Sequence, residues 1–443
     1  MKKVRVGSGA GYSGDRIDPA VELARFGDLD YLVFECLAER TIALAQQNKQ
    51  IGASDGYDPL LVERMEAVLP ACIRSGVKII SNMGAANPIA AARKTRETAR
   101  SLSLNGLRIA ALTGDDVLQQ MPSGYAFMES GEPVEAVTNR IISANAYLGA
   151  GPIVEALRGG ADIVLTGRFA DPSLFLAPLI YEFAWDTSDW NLLGQGTVIG
   201  HLLECAGQLT GGYFADPGYK NVAELARLGF PLAEVSADGT AVLTKVEGSG
   251  GCLSRATCIE QLLYEIQDPA RYITPDVTAD FTQVQIQDFG HDRVRVTGGA
   301  GRPKPDTLKV SVGFHDGWVG EGQISYAGPG AVPRAQLAER ILAERLRPYA
   351  FTELRFDLIG MNAIHGPAVS PRTPDVWEVR LRAIARSSSR EKAAIVPREV
   401  EALYTNGPAG GGGVSTSVRE TITIQSTLIP ADLPQTSIHI EVS

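Results

Sequence analysis

Short apolar runs alternate with amphipathic segments along the first half of the chain. The apolar runs are rich in Val, Ile and Leu, which is typical of strands buried on both faces. They predict strands at residues 4–6, 31–34, 77–80, 107–111 and 163–165. The segments between them predict helices that begin near residue 19 and at residues 38–50, 59–75, 88–103, 132–148, 152–158 and 194–209. This alternation indicates an α/β domain with a largely parallel sheet and helices on both faces.

The pattern changes after residue 225. Short alternating runs separated by turn residues, such as Asp238-Gly239, predict antiparallel hairpins. Helices are expected at residues 255–267, 333–347 and 390–404, with further strands at 352–359 and 376–385. We therefore expect an α/β domain over residues 1–225 and an α+β domain with a mainly antiparallel sheet over residues 226–443.

Composition narrows the functional classes. The chain has 443 residues, a net charge of −10, 44% hydrophobic and 21% charged residues. A chain this acidic lacks the basic surface that nucleic-acid binding needs, and no run approaches the ~20 apolar residues of a membrane span. The start lacks the apolar core of a signal peptide, and five cysteines without a CxxC pair argue against disulfides and structural zinc. We expect a cytoplasmic protein.

A glycine-rich segment, GSGAGYSGDR at residues 7–16, follows the first predicted strand. Its backbone N–H groups and the helix after it could bind an anion, although the spacing differs from the dinucleotide-binding GxGxxG motif. A tight turn without a ligand is the alternative. If it binds substrate, the expected contacts are Gly9, Gly11, Tyr12, Ser13 and Arg16. Asp15, in the same segment, is a candidate for proton transfer.

Polar residues also follow other predicted strands. Asn82 comes after residues 77–80, Asp115 and Asp116 after 107–111, and Arg168 after 163–165. Ligands of open α/β sheets bind at this carboxyl edge, so we expect Asn82 to bind substrate and the guanidinium of Arg168 to face the crevice. The two aspartates could act in acid/base chemistry or bind a metal, or they could cap a helix.

The densest polar cluster lies around the helix predicted at residues 194–209. Spacings of three and four residues place His201, Glu204, Cys205 and Gln208 on one face. A neighbouring His could activate Cys205 as a nucleophile, but a packing role for Cys205 is equally open. Two further residues flank the cluster, Asp171 just after Arg168 and Thr210 at the end of the helix. We expect Gln208 and Thr210 to bind substrate.

Several long motifs carry a resemblance. These are GAGYSGDR, NAYLGAGPIVEALRGGADIVLTGR, TGRFADPSLFLAPLIYEFAWDTSDWNLLGQGTVIGHLLECAGQLTGGYFADPG and LLYEIQDPARYITPDVTADF. Together they resemble the acyclic terpene utilization AtuA family, from about residue 4 to the C-terminal glycine tract. The resemblance implies a catabolic enzyme acting on an organic acid or its CoA thioester. It also implies a small C-terminal ferredoxin-like domain, for which we expect no counterpart in this sequence.

These observations favour a lyase or hydratase that uses acid/base chemistry, with a non-catalytic acyl-ligand-binding subunit as the alternative. The expected catalytic residues are Asp15, Arg168, Asp171, Glu204 and Cys205. The cofactor is left open, with no cofactor as one alternative and a divalent metal as the other, because Asp15, Asp115 and Asp171 offer oxygen ligands. Expected partners are a small carboxylate or acyl-CoA substrate, further copies of the chain, or a small subunit of ferredoxin-like fold. The last expectation also rests on the strand-like residues 421–443, which something must cover.

Overall fold

The computed structural model describes residues 2–121, 123–369 and 376–443. Its strands are β1 (Lys3–Ala10), β2 (Tyr31–Phe34), β3 (Lys78–Ser81), β4 (Arg108–Thr113), β5 (Ile141–Ala146), β6 (Ile163–Thr166), β7 (Pro231–Ser236), β8 (Ala241–Lys245), β9 (Tyr272–Ile273), β10 (Thr278–Asp280), β11 (Gln285–Asp288), β12 (Val294–Thr297), β13 (Ala300–Arg302), β14 (Thr307–Ala327), β15 (Glu353–Ile359), β16 (Glu378–Ser387), β17 (Gly412–Pro430) and β18 (Ser437–Val442).

The helices are α1 (Asp18–Phe26), α2 (Glu39–Gln50), α3 (Leu61–Ser75), α4 (Pro88–Ser101), α5 (Gly151–Arg158), α6 (Asp171–Phe183), α7 (Trp190–Glu204), α8 (Arg255–Leu263), α9 (Ala331–Leu346), α10 (Gly366–Val369), α11 (Arg390–Ala393) and α12 (Ile395–Asn406). The chain forms two compact units. One contains the residues up to Gly313 together with Ile424–Ser443, and the other is Phe314–Thr423.

A ten-stranded sheet organises the first unit, in the order β11-β12-β8-β7-β1-β2-β3-β6-β4-β18. The five strands from β1 to β4 in this order pair in parallel, whereas all other pairs are antiparallel. The α/β class predicted from the sequence is confirmed, and the sheet is mixed. All four residues of β2 and of β6 are buried, as expected for strands covered on both faces.

The antiparallel strands β7, β8, β11 and β12 extend this sheet, and β7 pairs directly with β1. The sequence-based boundary at residues 225/226 therefore falls inside the first unit. Alternating apolar residues predict that a segment is a strand, but they do not identify the strand with which it pairs.

The prediction of a helix at residues 132–148 is wrong. A 3₁₀ segment covers Val134–Arg140, and β5 follows at Ile141–Ala146. Strand β5 pairs with β14, which lies far along the chain, so a long-range partner overrides the local helical pattern.

Helices α6 and α7 pack closely against each other. A Cβ added at Gly200 of α7 would lie 2.6 Å from the carbonyl oxygen of Pro172 in α6, so only glycine allows this approach. Asp189 caps α7 by accepting a hydrogen bond from the Leu192 N–H at 3.1 Å. The same packing fixes the position of the C-terminal end of α7, where the polar cluster lies.

The second unit is built on the antiparallel order β15-β16-β14-β17, which confirms the predicted C-terminal antiparallel sheet. Buried residues of β16 alternate with partly exposed ones, and the buried face packs against α9 and α12.

The chain's own sheet pairs the C-terminal strand. Strand β18 is antiparallel to β4, from Ser437 opposite Thr113 to Val442 opposite Arg108. A partner subunit is therefore not needed to pair these residues. Across the described ranges, none of the helices combines the length and the apolar character that crossing a membrane requires.

Candidate functional site

A cavity of about 990 Å³ opens at the carboxyl edge of the parallel strands in the first unit. Its wall includes the segment after β1, Glu35 after β2, the start of α6 and the C-terminal end of α7. This is the edge at which open α/β sheets bind ligands. The polar residues on the wall are Tyr12, Asp15, Arg16, Glu35, Glu39, Tyr147, Asp171, His201, Glu204, Cys205, Gln208, Tyr213, Tyr264, Glu265, Arg271, Tyr272, Thr274, Thr307 and Lys309.

The segment after β1 touches the end of α7. A Cβ added at Gly11 would lie 2.5 Å from the carbonyl carbon of Cys205, so the two backbones meet only because residue 11 is glycine. Asp15 accepts a hydrogen bond from the Gly11 N–H at 3.0 Å. The donor of Gly11 is thus directed to a side chain of its own loop. Burial raises the pKa of Asp15, against the effect of this hydrogen bond.

Glu35 is a buried carboxyl group at the end of β2. Its Oε1 accepts hydrogen bonds from the Leu37 N–H at 2.8 Å and from Asn82 Nδ2 at 2.9 Å. The pKa of Glu35 is raised to about 8, mainly by burial and secondly by the nearby charge of Asp171. Glu35 therefore carries a proton at neutral pH. Asn82 is completely buried and positions this carboxyl group.

The guanidinium of Arg168 is buried beneath the cavity wall, with only 1% of the side chain exposed. Its Nη2 is 2.5 Å from Asp171 Oδ1, and its backbone N–H donates to Asp115 at 2.8 Å. The expectation that Arg168 faces the crevice is therefore corrected. Asp171 lies on the cavity wall. Arg168 lies behind this wall and compensates the negative charge of Asp171.

Tyr147 links Arg168 to a second carboxylate. The guanidinium carbon of Arg168 lies 4.2 Å from the centre of the Tyr147 ring, and the Tyr147 hydroxyl donates to Glu39. Lys309 Nζ is 3.3 Å from Glu39. Partial burial opposes ionisation of Glu39, but Arg168 and the Tyr147 hydrogen bond outweigh it and lower the pKa of Glu39 to about 2. Glu39 is therefore ionised in the same cavity in which Glu35 is protonated.

The end of α7 presents the four side chains predicted to share one face, His201, Glu204, Cys205 and Gln208. His201 Nδ1 lies 2.9 Å from Glu204 Oε1. Burial and the neighbouring Glu204 raise the pKa of the Cys205 thiol, so Cys205 is not a thiolate at neutral pH. His201 Nδ1 pairs with Glu204 and Nε2 has no hydrogen-bond partner, so neither ring nitrogen is hydrogen-bonded to the Cys205 thiol.

Four predicted binding residues lie outside the cavity wall. Gly9 is within β1, where an added Cβ would lie 2.6 Å from the Phe34 ring. Ser13 donates to Asp58 at 2.6 Å, and Thr210 donates to the Gly229 carbonyl at 2.6 Å. Asn82, the fourth, lies behind Glu35.

Among the other predicted residues, Gly11, Tyr12, Asp15, Asp171, Glu204, Cys205 and Gln208 line the cavity. Arg16 also lines it and forms an ion pair with Asp18.

Sequence reasoning did not select six residues that line the cavity, namely Glu35, Glu39, Tyr147, Arg271, Tyr272 and Lys309. Glu35 directly follows β2, so its position at the carboxyl edge could have identified it. Tyr147 was not selected because the sequence pattern predicted a helix at residues 132–148 instead of β5, the strand that Tyr147 directly follows. Lys309 and Arg271 come from distant segments, and no local pattern indicates them.

The three aspartates proposed as metal ligands already form hydrogen bonds or ion pairs with other residues of the chain. Asp15 accepts from Gly11, Asp115 accepts from Arg168 and from Asn145 Nδ2 at 2.9 Å, and Asp171 pairs with Arg168. Within the part of the chain that the structure describes, no three His, Cys, Asp or Glu side chains come together as a metal-binding group.

Comparison with known proteins assigns the chain to a family over nearly its whole length. The model of the acyclic terpene utilisation family protein AtuA matches residues 4–440. Comparison with curated proteins and with solved structures gave no match.

Proposed function

Because the chain belongs to the acyclic terpene utilisation AtuA family, we propose that it is an enzyme of organic-acid breakdown. Its proposed reaction is the addition or removal of water, or the cleavage of a carbon–carbon bond, next to a carboxylate or CoA-thioester carbonyl. Such a reaction needs a group that removes a proton and a second group that protonates the leaving atom. It also needs positive charge or N–H donors near the developing enolate.

One observation carries the proposal: the environments of two carboxyl groups in the same cavity shift their pKa values in opposite directions. The pKa of Glu35 is raised to about 8 and that of Glu39 is lowered to about 2. Environments that separate the pKa values of neighbouring groups are typical of acid/base catalytic sites. In this proposal the protonated Glu35 is the acid, and a deprotonated group of the same wall is the base.

The cavity also offers positive charge for an anionic substrate. Lys309, Arg271 and Arg16 lie on its wall, although Lys309 and Arg16 already have acidic neighbours. Arg168 is too deeply buried to bind substrate directly, so its proposed role is to keep Glu39 ionised and to oppose the effect of burial, which raises the pKa of Asp171. The predicted binding residues that line the cavity are Gly11, Tyr12, Arg16 and Gln208.

Proton exchange with solvent tests the proposal directly. The purified chain is incubated in D₂O with a panel of 3-hydroxy and α,β-unsaturated carboxylic acids and their CoA thioesters. Mass spectrometry then follows deuterium at the carbon next to the carbonyl, together with the gain or loss of water. We expect exchange with at least one panel member and its loss in Glu35→Gln. The proposal fails if no panel member exchanges.

The same panel distinguishes the alternative, a non-catalytic acyl-ligand-binding subunit. Binding measured by calorimetry without exchange would support that alternative. A small subunit of ferredoxin-like fold remains part of the proposal because the resemblance implies such a domain, and a homo-oligomer is the alternative. Light scattering of the chain, alone and with a candidate subunit, tests this part.

A further inference from the structure

His201 and Glu204 form a buried pair on the last turn of α7. They are three residues apart, and His201 Nδ1 lies 2.9 Å from Glu204 Oε1. The exposed fraction is 1% for His201 and 9% for Glu204. Gln261 of α8 donates to the His201 carbonyl at 3.1 Å, which fixes the backbone at this turn. The pair is therefore held rigidly at the wall of the cavity.

The second polar atom of each side chain makes no hydrogen bond. His201 Nε2 and Glu204 Oε2 are buried, and neither has a hydrogen-bond partner. Leaving a buried polar atom unpaired is costly, so such atoms in a cavity wall indicate a missing ligand. The His201 ring is held between Tyr272 and Phe281, with ring centres 5.4 and 5.6 Å away. These rings restrict the orientation of Nε2.

We propose that His201, positioned by Glu204, is the catalytic base of this cavity, and that its Nε2 exchanges a proton with the carbon next to the substrate carbonyl. This inference rests on the proposed function. Glu204 accepts the Nδ1 proton of neutral His201, which leaves the Nε2 lone pair available. The role of Glu204 is thus positional, since it fixes the tautomer and offsets the charge that His201 acquires.

The proton balance of a dehydration closes within the cavity. The C–H bond breaks, its proton goes to Nε2, and its electron pair forms the new carbon–carbon double bond. The C–O bond breaks at the same time, and the leaving oxygen takes the proton of Glu35 and departs as water. His201 is then protonated and Glu35 ionised, so one proton returned from His201 to Glu35 through solvent resets the site. Hydration is the reverse.

Several titratable groups act on the pair. They are Asp171 at the start of α6, Cys205 at the end of α7, Glu265 after α8 and Tyr272 on β9. Burial, opposed by His201 and reinforced by Asp171 and Glu265, raises the pKa of Glu204 to about 7. Burial lowers the pKa of His201, but Glu204, helped by the backbone of Leu262 and Gln261, outweighs it and the net direction is upward. We therefore expect the base to become active as pH rises through the neutral range, until Glu35 ionises.

Histidine NMR tests the pair without any substrate, because the chain contains only five histidines. The signal of His201 is the one lost in His201→Gln, with the highly exposed His291→Gln as the control assignment. We expect the tautomer protonated at Nδ1 at alkaline pH, and a lower pKa of His201 in Glu204→Gln. A tautomer protonated at Nε2, or a pKa of His201 that is unchanged in Glu204→Gln, overturns the inference.

Kinetics on a panel member that exchanges deuterium provide the second test. His201→Gln should lower kcat by about 10²–10⁴-fold with little change in KM, and should remove the acidic limb of the pH profile. Added imidazole should partly restore His201→Ala, which a purely structural histidine would not allow. Glu204→Gln should retain more activity, with its acidic limb shifted to lower pH.

A normal rate and pH profile in a folded His201→Gln variant would exclude His201 as the base while leaving the proposed function standing. Absence of exchange with every panel member would reject the proposed function, and the NMR result would still decide the tautomer and the coupling. If His201→Gln does not fold, Glu204→Gln and the NMR titration of the unmodified chain decide the question.

Discussion

Arg168 Nη2 lies 2.5 Å from Asp171 Oδ1, across the turn that connects β6 to α6. The N-terminal end of α6 favours the Asp171 carboxylate, and Arg168 compensates it from the interior. Two further atoms of Arg168, Nε and Nη1, are buried without a hydrogen-bond partner. The same guanidinium lies over the Tyr147 ring, so one buried positive charge contacts two residues of the cavity wall, Asp171 and Tyr147.

Arg168→Ala should destabilise the first unit as well as abolish activity. Removing one partner of a buried ion pair leaves the other charge uncompensated, which costs about 3–5 kcal/mol. Urea denaturation measures this change in the free energy of unfolding. Arg16→Ala is the matched control because Arg16 and Asp18 are both exposed, and it should change stability by less than about 1 kcal/mol. Equal, small effects of the two variants would contradict the assigned burial.

Glu35→Gln should change how stability depends on pH. The folded pKa of Glu35 is raised to about 8 from the ordinary value of 4.5, so the folded state binds more protons than the unfolded state between these values. Stability should therefore fall as pH rises across this window, by up to about 1.4 kcal/mol per pH unit from this group.

Glutamine cannot ionise, so Glu35→Gln should lack this decline and become more stable than the unmodified chain at alkaline pH. Thermal unfolding at a series of pH values measures the difference. Glu63→Gln, at an exposed position of α3, should retain the decline. A decline that persists in Glu35→Gln would assign it to another group.

Tyr147→Phe should weaken the chain mainly at neutral pH, and the difference from the unmodified chain should disappear as the pH falls. The Tyr147 hydroxyl helps to lower the pKa of Glu39, and a lowered carboxyl pKa contributes stability above 4.5 that is lost as pH falls towards 2. Removing the hydroxyl should cost about 1 kcal/mol at neutral pH, because Glu39 is partly exposed. It should also shift the acid loss to higher pH. Tyr219→Phe, at a position that is 88% exposed, is the control in the same acid titration.

Cys205→Ser should retain most of the activity in the proposed reaction. Burial and the nearby Glu204 keep Cys205 in the thiol form, which is a poor nucleophile. Alkylation by iodoacetamide, followed by mass spectrometry, should therefore be slow at Cys205 at neutral pH. A covalent substrate adduct on Cys205, or complete loss of activity in the Ser variant, would show that this residue is a nucleophile.

The parts of the fold that follow from local pattern could be predicted, whereas those that depend on distant partners could not. Strand β2 occupies residues 31–34 as predicted, because four consecutive apolar residues fit a strand buried on both faces. The segment that became β5 has apolar residues compatible with a helix, and only its pairing with β14 decides the outcome.

The site shows the same division. His201, Glu204 and Cys205 share a helix turn, so their spacing alone placed them together. The contact of Tyr147 with Arg168 and Glu39 depends on three separate segments. Burial, which raises the pKa of Glu35, is also a property of the folded chain and has no local sequence pattern.

The pairing of β18 with β4 determines how late in synthesis the central sheet can be completed. Arg108 is synthesised early, and its partner Val442 emerges only after the whole of the second unit. During synthesis on the ribosome, the edge of the central sheet at β4 therefore stays open, with its backbone groups available to other chains. A nascent chain of this protein should depend on chaperones until β18 is released, and closure of this long-range pair is expected to be a late, slow step.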